Sequence, residues 1–193
     1  MIKKLILIIT IFFYFLPSIA FSAGSKIDYP EKDWSFSGLF GTFDKAAAQR
    51  GYQVYKEVCS GCHGMRLINY RNLSDLGYNT NELKALAAQF EVQDGPNDEG
   101  EFFKRPGRPS DKFVSPYPND QAARAANGGA YPPDLSLIIK ARDNGANYLH
   151  ALLSGYTEPP KDIKVPDGMY YNSFYSGNLI AMPQPLYDDG VTY

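Results

Sequence analysis

Five consecutive residues, Cys59-Ser60-Gly61-Cys62-His63, contain both cysteines of the chain and one of its two histidines. Two thiols three positions apart lie on one face of a helical turn, so both can bond to the same edge of a flat ligand. The histidine that follows can offer a ring nitrogen to a metal at the centre of that ligand. Cys-x-x-Cys-His is the attachment motif of a c-type haem, in which two thioether bonds hold the porphyrin and the histidine binds the iron.

The same five residues have other interpretations. A redox-active dithiol also uses Cys-x-x-Cys, but it normally lies within a βαβ unit. A structural zinc ion needs four ligands, and a set made of Cys59, Cys62, His63 and His150 is awkward because two of its members are adjacent. A chance match to a short pattern is the third alternative. The residue types and their order favour haem over all of these.

The amino terminus has the pattern of a secretory signal peptide. Two lysines precede an apolar run at residues 5–16, and small residues before position 21 suit cleavage after Ala20. Cleavage after Ala23 is the alternative, whereas an uncleaved anchor is disfavoured because the run is short for a membrane span. The pattern predicts a signal peptide at 1–20 and an exported domain at 21–193. Export supports the haem interpretation, since c-type haem is attached outside the cytoplasm.

Composition limits the functions that the chain can have. The 19 basic and 21 acidic side chains give a net charge of −2, and loss of the signal peptide's lysines makes the exported chain more acidic. This charge disfavours nucleic acid as a partner and permits a basic protein. Four acids, Asp94, Asp98, Glu99 and Glu101, fall in a predicted long loop at 94–118. We interpret them as a patch that steers such a partner.

Helical periodicity places the haem motif at the end of a helix. Asp44 is the expected N-cap, and apolar residues from Ala47 to Val58 recur on one face. Gly51 lies within this helix, where a close crossing with a second helix would explain it; a glycine that the helix merely tolerates is the equal alternative. Residues 24–43 read as an extended arm packed on the domain. Further helices are predicted at 81–90 with Thr80 or Asn81 as the cap, 121–127, 135–142 and 146–153, and the 17 Gly, 14 Pro and 15 Tyr predict a loop-rich chain.

Spacing alone leaves the second axial ligand of the iron open. Met182 lies in a proline-rich segment that can hold a thioether at a fixed place. Met169, His150 and an open site are the alternatives, whereas Met65 is too close to His63 to reach the opposite face of a porphyrin. Methionine and histidine together raise the reduction potential and suit an electron carrier.

Taken together, these residues resemble the cytochrome c1 family, the haem subunits of the cytochrome bc1 complex, and in particular its bacterial members. The resemblance covers nearly the whole exported chain. The matching blocks are 49–55, 59–63, 70–73, 126–136, 141–142, 152–156 and 181–190. The family's fold is a mostly α c-type cytochrome fold with long loops around one covalently bound haem, and we expect that fold here.

The resemblance also implies site residues. It implies thioether bonds at both cysteines, with His63 as the proximal iron ligand and Met182 as the distal ligand. It places Arg142 near a haem propionate, where a guanidinium would pair with the carboxylate. Tyr148 is expected to line the same pocket.

The implied function is one-electron transfer, with no bond-making chemistry by the chain itself. The family places it between the Rieske iron–sulfur protein and a soluble cytochrome c, beside cytochrome b, on the periplasmic side of the bacterial inner membrane. Family members continue into a C-terminal helix and a membrane anchor, whereas only 11 residues follow Met182 here. We therefore expect an incomplete C-terminus or a different form of anchoring. The alternative function is a free periplasmic monohaem cytochrome outside a bc1 complex.

Overall fold

The computed structural model describes residues 27–192, so the predicted signal peptide lies outside the described residues. Helices, turns and long connections make up most of this range, in agreement with a mostly α, loop-rich chain. The α-helices are α1 (Lys45–Glu57), α2 (Thr80–Ala87), α3 (Asp120–Ala126) and α4 (Gly145–Ser154), with 3-10 helices at Cys59–Gly61 and Tyr70–Leu76. Two antiparallel pairs of short strands complete it: β1 (Glu91–Asp94) with β2 (Phe103–Pro106), and β3 (Tyr170–Tyr171) with β4 (Leu179–Ile180). Across 27–192, no helix combines the length and the apolar character needed to cross a bilayer.

Helix α1 carries the haem motif at its C-terminal end, as predicted. Asp44 caps it by accepting a hydrogen bond from the Ala47 amide at 3.1 Å. Its inner face buries Tyr52. At Gly51, a Cβ atom would meet nothing within 4 Å. The close helix crossing expected at this glycine is therefore not found among the described residues.

An aromatic core holds α1 in place. Phe113 lies at its centre, with ring centroids 4.8 Å from Tyr70 and 5.9 Å from Tyr52. Leu73 of the Tyr70–Leu76 helix and Leu83 and Ala87 of α2 complete the buried cluster. Buried aromatic rings contribute more apolar contact area than any other side chain type. The start of the haem motif is thus fixed by the largest core of the described domain.

Two of the predicted helices differ from those observed. Helix α2 is capped by Asn79 rather than by Thr80 or Asn81, because Asn79 and Glu82 form a reciprocal capping box. The helix predicted at 135–142 is wrong, since this segment forms separate turns. Its first amide, on Leu135, donates to the Gly64 carbonyl instead of starting a helix.

The long loop predicted at 94–118 is in part a β-hairpin. Strand β1 pairs with β2 so that Asp94 lies opposite Phe103. Arg105 of β2, whose side chain is 15% exposed, forms ion pairs with Asp94 and with Asp111 beyond the hairpin, the latter at 2.6 Å. Its guanidinium lowers the pKa of both carboxyls, through hydrogen bonds and charge. Asp94 is therefore a structural partner of Arg105 and not a free surface acid.

The N-terminal arm is extended at 27–34 and turns at 35–36 and 39–40, and only part of it packs on the domain. Trp34 Nε1 donates to the Asn147 side-chain oxygen on α4 at 2.7 Å, and the Lys32 amide donates to the same oxygen at 3.3 Å. Leu39 and Phe40, by contrast, are 92% and 91% exposed. The packing predicted for the arm is thus confirmed at Trp34 and wrong at Leu39 and Phe40.

Candidate functional site

The haem motif begins where α1 gives way to a tight 3-10 turn. The amides of Cys62 and His63 both donate to the Cys59 carbonyl, at 3.1 and 2.8 Å. Both cysteines are free thiols, Cys59 half-buried and Cys62 exposed. Burial raises the pKa of the Cys59 thiol, whereas reactive dithiols depend on a lowered thiol pKa. The raised pKa of Cys59 therefore argues against a redox-active dithiol at this turn.

The imidazole of His63 is oriented by a backbone carbonyl. Its Nδ1 lies 2.8 Å from the Pro133 oxygen. Because a carbonyl only accepts hydrogen bonds, Nδ1 carries a proton, and in the neutral imidazole Nε2 then has the free lone pair. A second hydrogen bond of this kind is what fixes the tautomer and ring orientation of histidine ligands to metals. The geometry around His63 thus fits an axial iron ligand.

Three further hydrogen bonds join the residues after His63 to the segment that contains Pro133. They run from Leu135 N to Gly64 O at 2.8 Å, from Arg66 N to Asp134 Oδ2 at 2.9 Å and from Leu67 N to Ser136 Oγ at 3.1 Å. Burial opposes ionisation of Asp134, but the hydrogen bonds from Arg66 and Ser136 hold its pKa below the ordinary value. This clamp between residues 63–67 and 133–136 holds the Pro133 carbonyl against the imidazole.

Met182, the predicted distal ligand, follows directly on the second pair of strands. Strand β4 ends at Ile180, two residues before it. The hydroxyl of Tyr156 donates to the Met182 carbonyl at 2.9 Å, and the Met182 side chain is half-buried. The segment is therefore held by a strand on one side and by a side-chain hydrogen bond at the residue itself.

The alternative distal ligands have different surroundings. Met65 packs against the aromatic core. Nε2 of His150 lies 3.0 Å from the Lys32 ammonium, which donates to it, and the ring contacts Trp34 edge-on. The side chains of Met65 and His150 therefore already contact other residues. Met169 lies in a turn before β3, half-buried, and stays the alternative to Met182.

The structure brings Arg142 and Tyr148 together. The guanidinium carbon of Arg142 lies 5.7 Å from the centre of the Tyr148 ring, within cation–π range. Tyr29 of the arm packs edge-on against the same ring at 5.4 Å. Within 27–192, no carboxylate forms an ion pair with Arg142. Its charge is thus positioned by an aromatic face and available to an anionic group.

Two pockets lie near parts of this site, and His63, Met182, Arg142 and Tyr148 line neither of them. A polar cavity of about 150 Å³ has Cys62 and Tyr131 in its wall. A larger cleft, about 470 Å³, lies between α4 and residues 184–188, and is lined in part by His150 and Tyr156. Cavities of this size accommodate part of a large planar ligand.

Sequence reasoning missed three contributors to this site. The Pro133 carbonyl is a backbone atom, so no residue type signals its role. Tyr156 lies in a block that marked the family resemblance and was given no role of its own. Asn172, which is fully buried, comes from the irregular C-terminal part of the chain. Tyr156 directly follows Ser154 and Gly155 at the end of α4, and a tyrosine in that place was the one sequence signal of a tertiary contact.

Comparison with known proteins identifies the family. The family model described as the Cytochrome C1 family matches residues 34–193. The chain belongs to the cytochrome c1 family. This confirms the resemblance inferred from the sequence.

Curated relatives agree with this assignment. Cytochrome c1 1, heme protein, mitochondrial, of Arabidopsis thaliana is 54% identical over 167 residues, which cover 86% of this chain and 54% of the relative. Cytochrome c1 of Rhodospirillum rubrum is 47% identical over 179 residues, covering 84% of this chain and 66% of the relative. The cytochrome b-c1 complex catalytic subunit, mitochondrial, of Candida albicans is 50% identical over 165 residues, covering 85% and 57%. The chain thus spans little more than half the length of the Arabidopsis and Candida relatives.

Proposed function

We propose that this cytochrome c1 family member is a one-electron carrier, the haem-binding subunit of a quinol:cytochrome c oxidoreductase. The observation that carries the proposal is the hydrogen bond from His63 Nδ1 to Pro133, directly beside two free thiols at haem-attachment spacing. The name of the Arabidopsis relative, a heme protein, supports the cofactor. The name of the Candida relative, a b-c1 complex subunit, supports the assembly.

Each site residue has a distinct task in this proposal. A c-type haem supplies, when bound, an iron that gains and loses one electron without making or breaking substrate bonds. Cys59 and Cys62 would hold the porphyrin through thioethers, and His63 would offer Nε2 to the iron. Met182 would offer its thioether to the same iron. Two protein ligands of this kind would suit electron transfer rather than the binding of a substrate.

Arg142 and Tyr148 are proposed to hold the anionic edge of the porphyrin. A guanidinium forms paired, charge-assisted hydrogen bonds with a carboxylate such as a propionate. The Tyr148 ring supports the guanidinium from below, at the 5.7 Å separation observed. Arg142 would then stabilise the bound cofactor electrostatically while staying outside the ligand set of the metal.

The proposed partners follow from family membership and from surface charge. We place the chain on the periplasmic side of the bacterial inner membrane, next to cytochrome b, accepting electrons from a Rieske iron–sulfur protein and passing them to a soluble cytochrome c. The loop that joins β1 to β2 exposes Asp98, Glu99 and Glu101, none of which forms an ion pair with any described residue. These three acids suit a basic electron acceptor.

Covalent attachment of haem is the direct test of this function. The exported chain, produced in a bacterium that attaches c-type haem, should keep its haem through acid–acetone extraction and denaturing electrophoresis. His63→Ala should change the haem spectrum, because it removes the proximal ligand. His150→Ala is the matched control, since it removes the only other histidine and should leave attachment and spectrum unchanged. Release of haem on extraction from the parent chain would contradict the proposal.

A second measurement separates the complex subunit from the free cytochrome. In the native organism, membranes are solubilised and the protein is purified through a tag. A bc1 subunit should co-purify with cytochrome b and a Rieske protein. Recovery of the covalent haem protein without either would favour the free periplasmic cytochrome.

A further inference from the structure

The segment that contains Met182 is tied to the end of α4. Tyr156 follows α4 by two residues, and its half-buried ring directs the hydroxyl to the Met182 carbonyl at 2.9 Å, across 26 residues of chain. A single side chain thus links the helix to the predicted distal ligand.

Asn172 fixes the same helix end to the turn between β3 and β4. Its side chain is fully buried, with Nδ2 donating to the Leu152 carbonyl at 2.8 Å and Oδ1 accepting from the Phe174 amide at 3.0 Å. Its own backbone amide donates to the Asn178 carbonyl at 2.8 Å. A buried amide with its donor and acceptor groups satisfied is costly to displace.

Close backbone contact completes the connection. Tyr156 and Asn172 form an antiparallel bridge, and the Ser173 amide donates to the Gly155 carbonyl at 2.9 Å. At Gly155, a Cβ atom would lie 2.7 Å from the Phe174 ring and 2.8 Å from Asn172 Oδ1. Only glycine leaves room for these two side chains against the end of α4. The end of α4, the β3–β4 pair and Met182 are thereby joined through packed, hydrogen-bonded contacts.

We propose that Tyr156 is a positioning residue for the distal iron ligand: its hydroxyl holds the Met182 carbonyl and so keeps the thioether at the metal. The proposal rests on the assignment of Met182 made above. A displacement of the thioether that moves the residues after β4 would break the Tyr156 hydrogen bond, so this bond limits the movements by which the thioether can leave the metal. Tyr156 therefore opposes ligand loss without itself touching the cofactor, and Asn172 keeps Tyr156 in register with Met182.

Carbon monoxide binding to the reduced, haem-loaded protein measures this restraint, because carbon monoxide can bind only while Met182 is displaced. Tyr156→Phe keeps the ring and removes one hydrogen bond. Losing the net free energy of one hydrogen bond shifts the equilibrium toward displacement of Met182 by roughly threefold to tenfold. Carbon monoxide should therefore bind about threefold to tenfold faster than in the parent. Tyr171→Phe is the matched control, since the Tyr171 hydroxyl has no hydrogen-bond partner among residues 27–192, and its rate should equal that of the parent.

Met182→Leu, measured in parallel, separates the role of Tyr156 from the assignment of Met182 as the distal ligand. If Met182→Leu binds carbon monoxide rapidly and Tyr156→Phe behaves like the parent, the distal ligand is correct and the role of Tyr156 is overturned. The same holds if Tyr156→Phe only lowers the thermal unfolding midpoint, which is what a purely structural role predicts. If Met182→Leu itself changes nothing, the ligand assignment fails and the role of Tyr156 fails with it.

Discussion

At the scale of single residues, the chain positions its two axial ligand candidates through backbone carbonyls. His63 is held by the carbonyl of Pro133 through its ring nitrogen, and Met182 is held at its own carbonyl by the Tyr156 hydroxyl. In both cases, a hydrogen bond outside the ligand set fixes the ligand's place. Such second contacts are as much a part of a metal site as the ligands.

The type of residue at a ligand position could be predicted from the sequence, whereas the contact that orients it could not. Cys59, Cys62 and His63 are adjacent, so their shared chemistry is visible in five letters. The Pro133 carbonyl lies 70 residues further along the chain from His63. Only the folded clamp brings them together, and any residue type would supply the same oxygen.

Substitution of the proposed distal ligand is the prediction that belongs to this scale. Met182→Leu keeps the side-chain volume, so the change in the free energy of unfolding from lost packing should stay below about 1.5 kcal/mol. Loss of the sulfur should lower the reduction potential, since Met/His ligation raises it. Redox titration and the absorption spectrum of the oxidised protein provide the measurements. Met169→Leu serves as the control and should change neither; a change there, with Met182→Leu silent, would make Met169 the ligand.

At the scale of elements, local sequence signals predicted most of the helices. They failed where long-range contacts determine the structure. Helix α4 was predicted at 146–153 and is found at Gly145–Ser154, because its apolar periodicity and following glycine are local. The segment 135–142 has an equally helical composition, but its first amide is bonded to Gly64. The β1–β2 hairpin was missed because its charges suggested a loop, although Arg105 pairs one of its acids, Asp94, internally.

The Arg105 ion pairs predict an acid-sensitive hairpin. Arg105→Gln should lower the thermal unfolding midpoint at neutral pH by removing the cation shared by Asp94 and Asp111. Arg105 lowers the folded-state pKa of both acids, so the stabilisation is complete above their unfolded pKa of about 4. It declines as the pH falls below that value and vanishes once both acids are protonated in the folded state.

Parent and variant should therefore differ most near neutral pH and converge on acidification, as thermal melts at a series of pH values would show. The control is Lys104→Gln. Its ion pair with Glu91 is 73% and 71% exposed, and such surface pairs contribute little. A difference that persists unchanged into acid, or an equal effect from Lys104→Gln, would contradict a specific role for Arg105.

At the scale of the whole molecule, the two axial ligand candidates come from different supports. The aromatic core around Phe113 carries α1 and the haem motif, whereas α4 and Asn172 carry the Met182 segment. The N-terminal arm is attached to α4 through Asn147. A ligand bound between the two supports would join them, so haem attachment should stabilise the fold by binding the native state.

Charge at the surface of the molecule leads to the last prediction. Converting Asp98, Glu99 and Glu101 to their amides should slow electron transfer to a basic cytochrome c at low ionic strength, because the negative patch no longer steers the encounter. The difference should shrink at high salt, as the screening length falls from about 10 Å at 0.1 M to about 3 Å at 1 M. The haem spectrum and the reduction potential should not change, since the hairpin tip contains none of the proposed ligands. Stopped-flow kinetics over a range of salt concentrations provide the measurement.

A second triple variant separates steering by this loop from the effect of net charge. Glu158, Asp162 and Asp167 are also exposed, and their conversion to amides changes the net charge by the same amount. If steering is local to the hairpin, this variant should react faster than the hairpin variant at 0.1 M salt, where charges more than about 10 Å apart are largely screened. Equal slowing in both variants would indicate a general charge effect. A parent rate in the hairpin variant would exclude that loop and leave Asp188 and Asp189, near Met182 in the sequence, as the next acids to test.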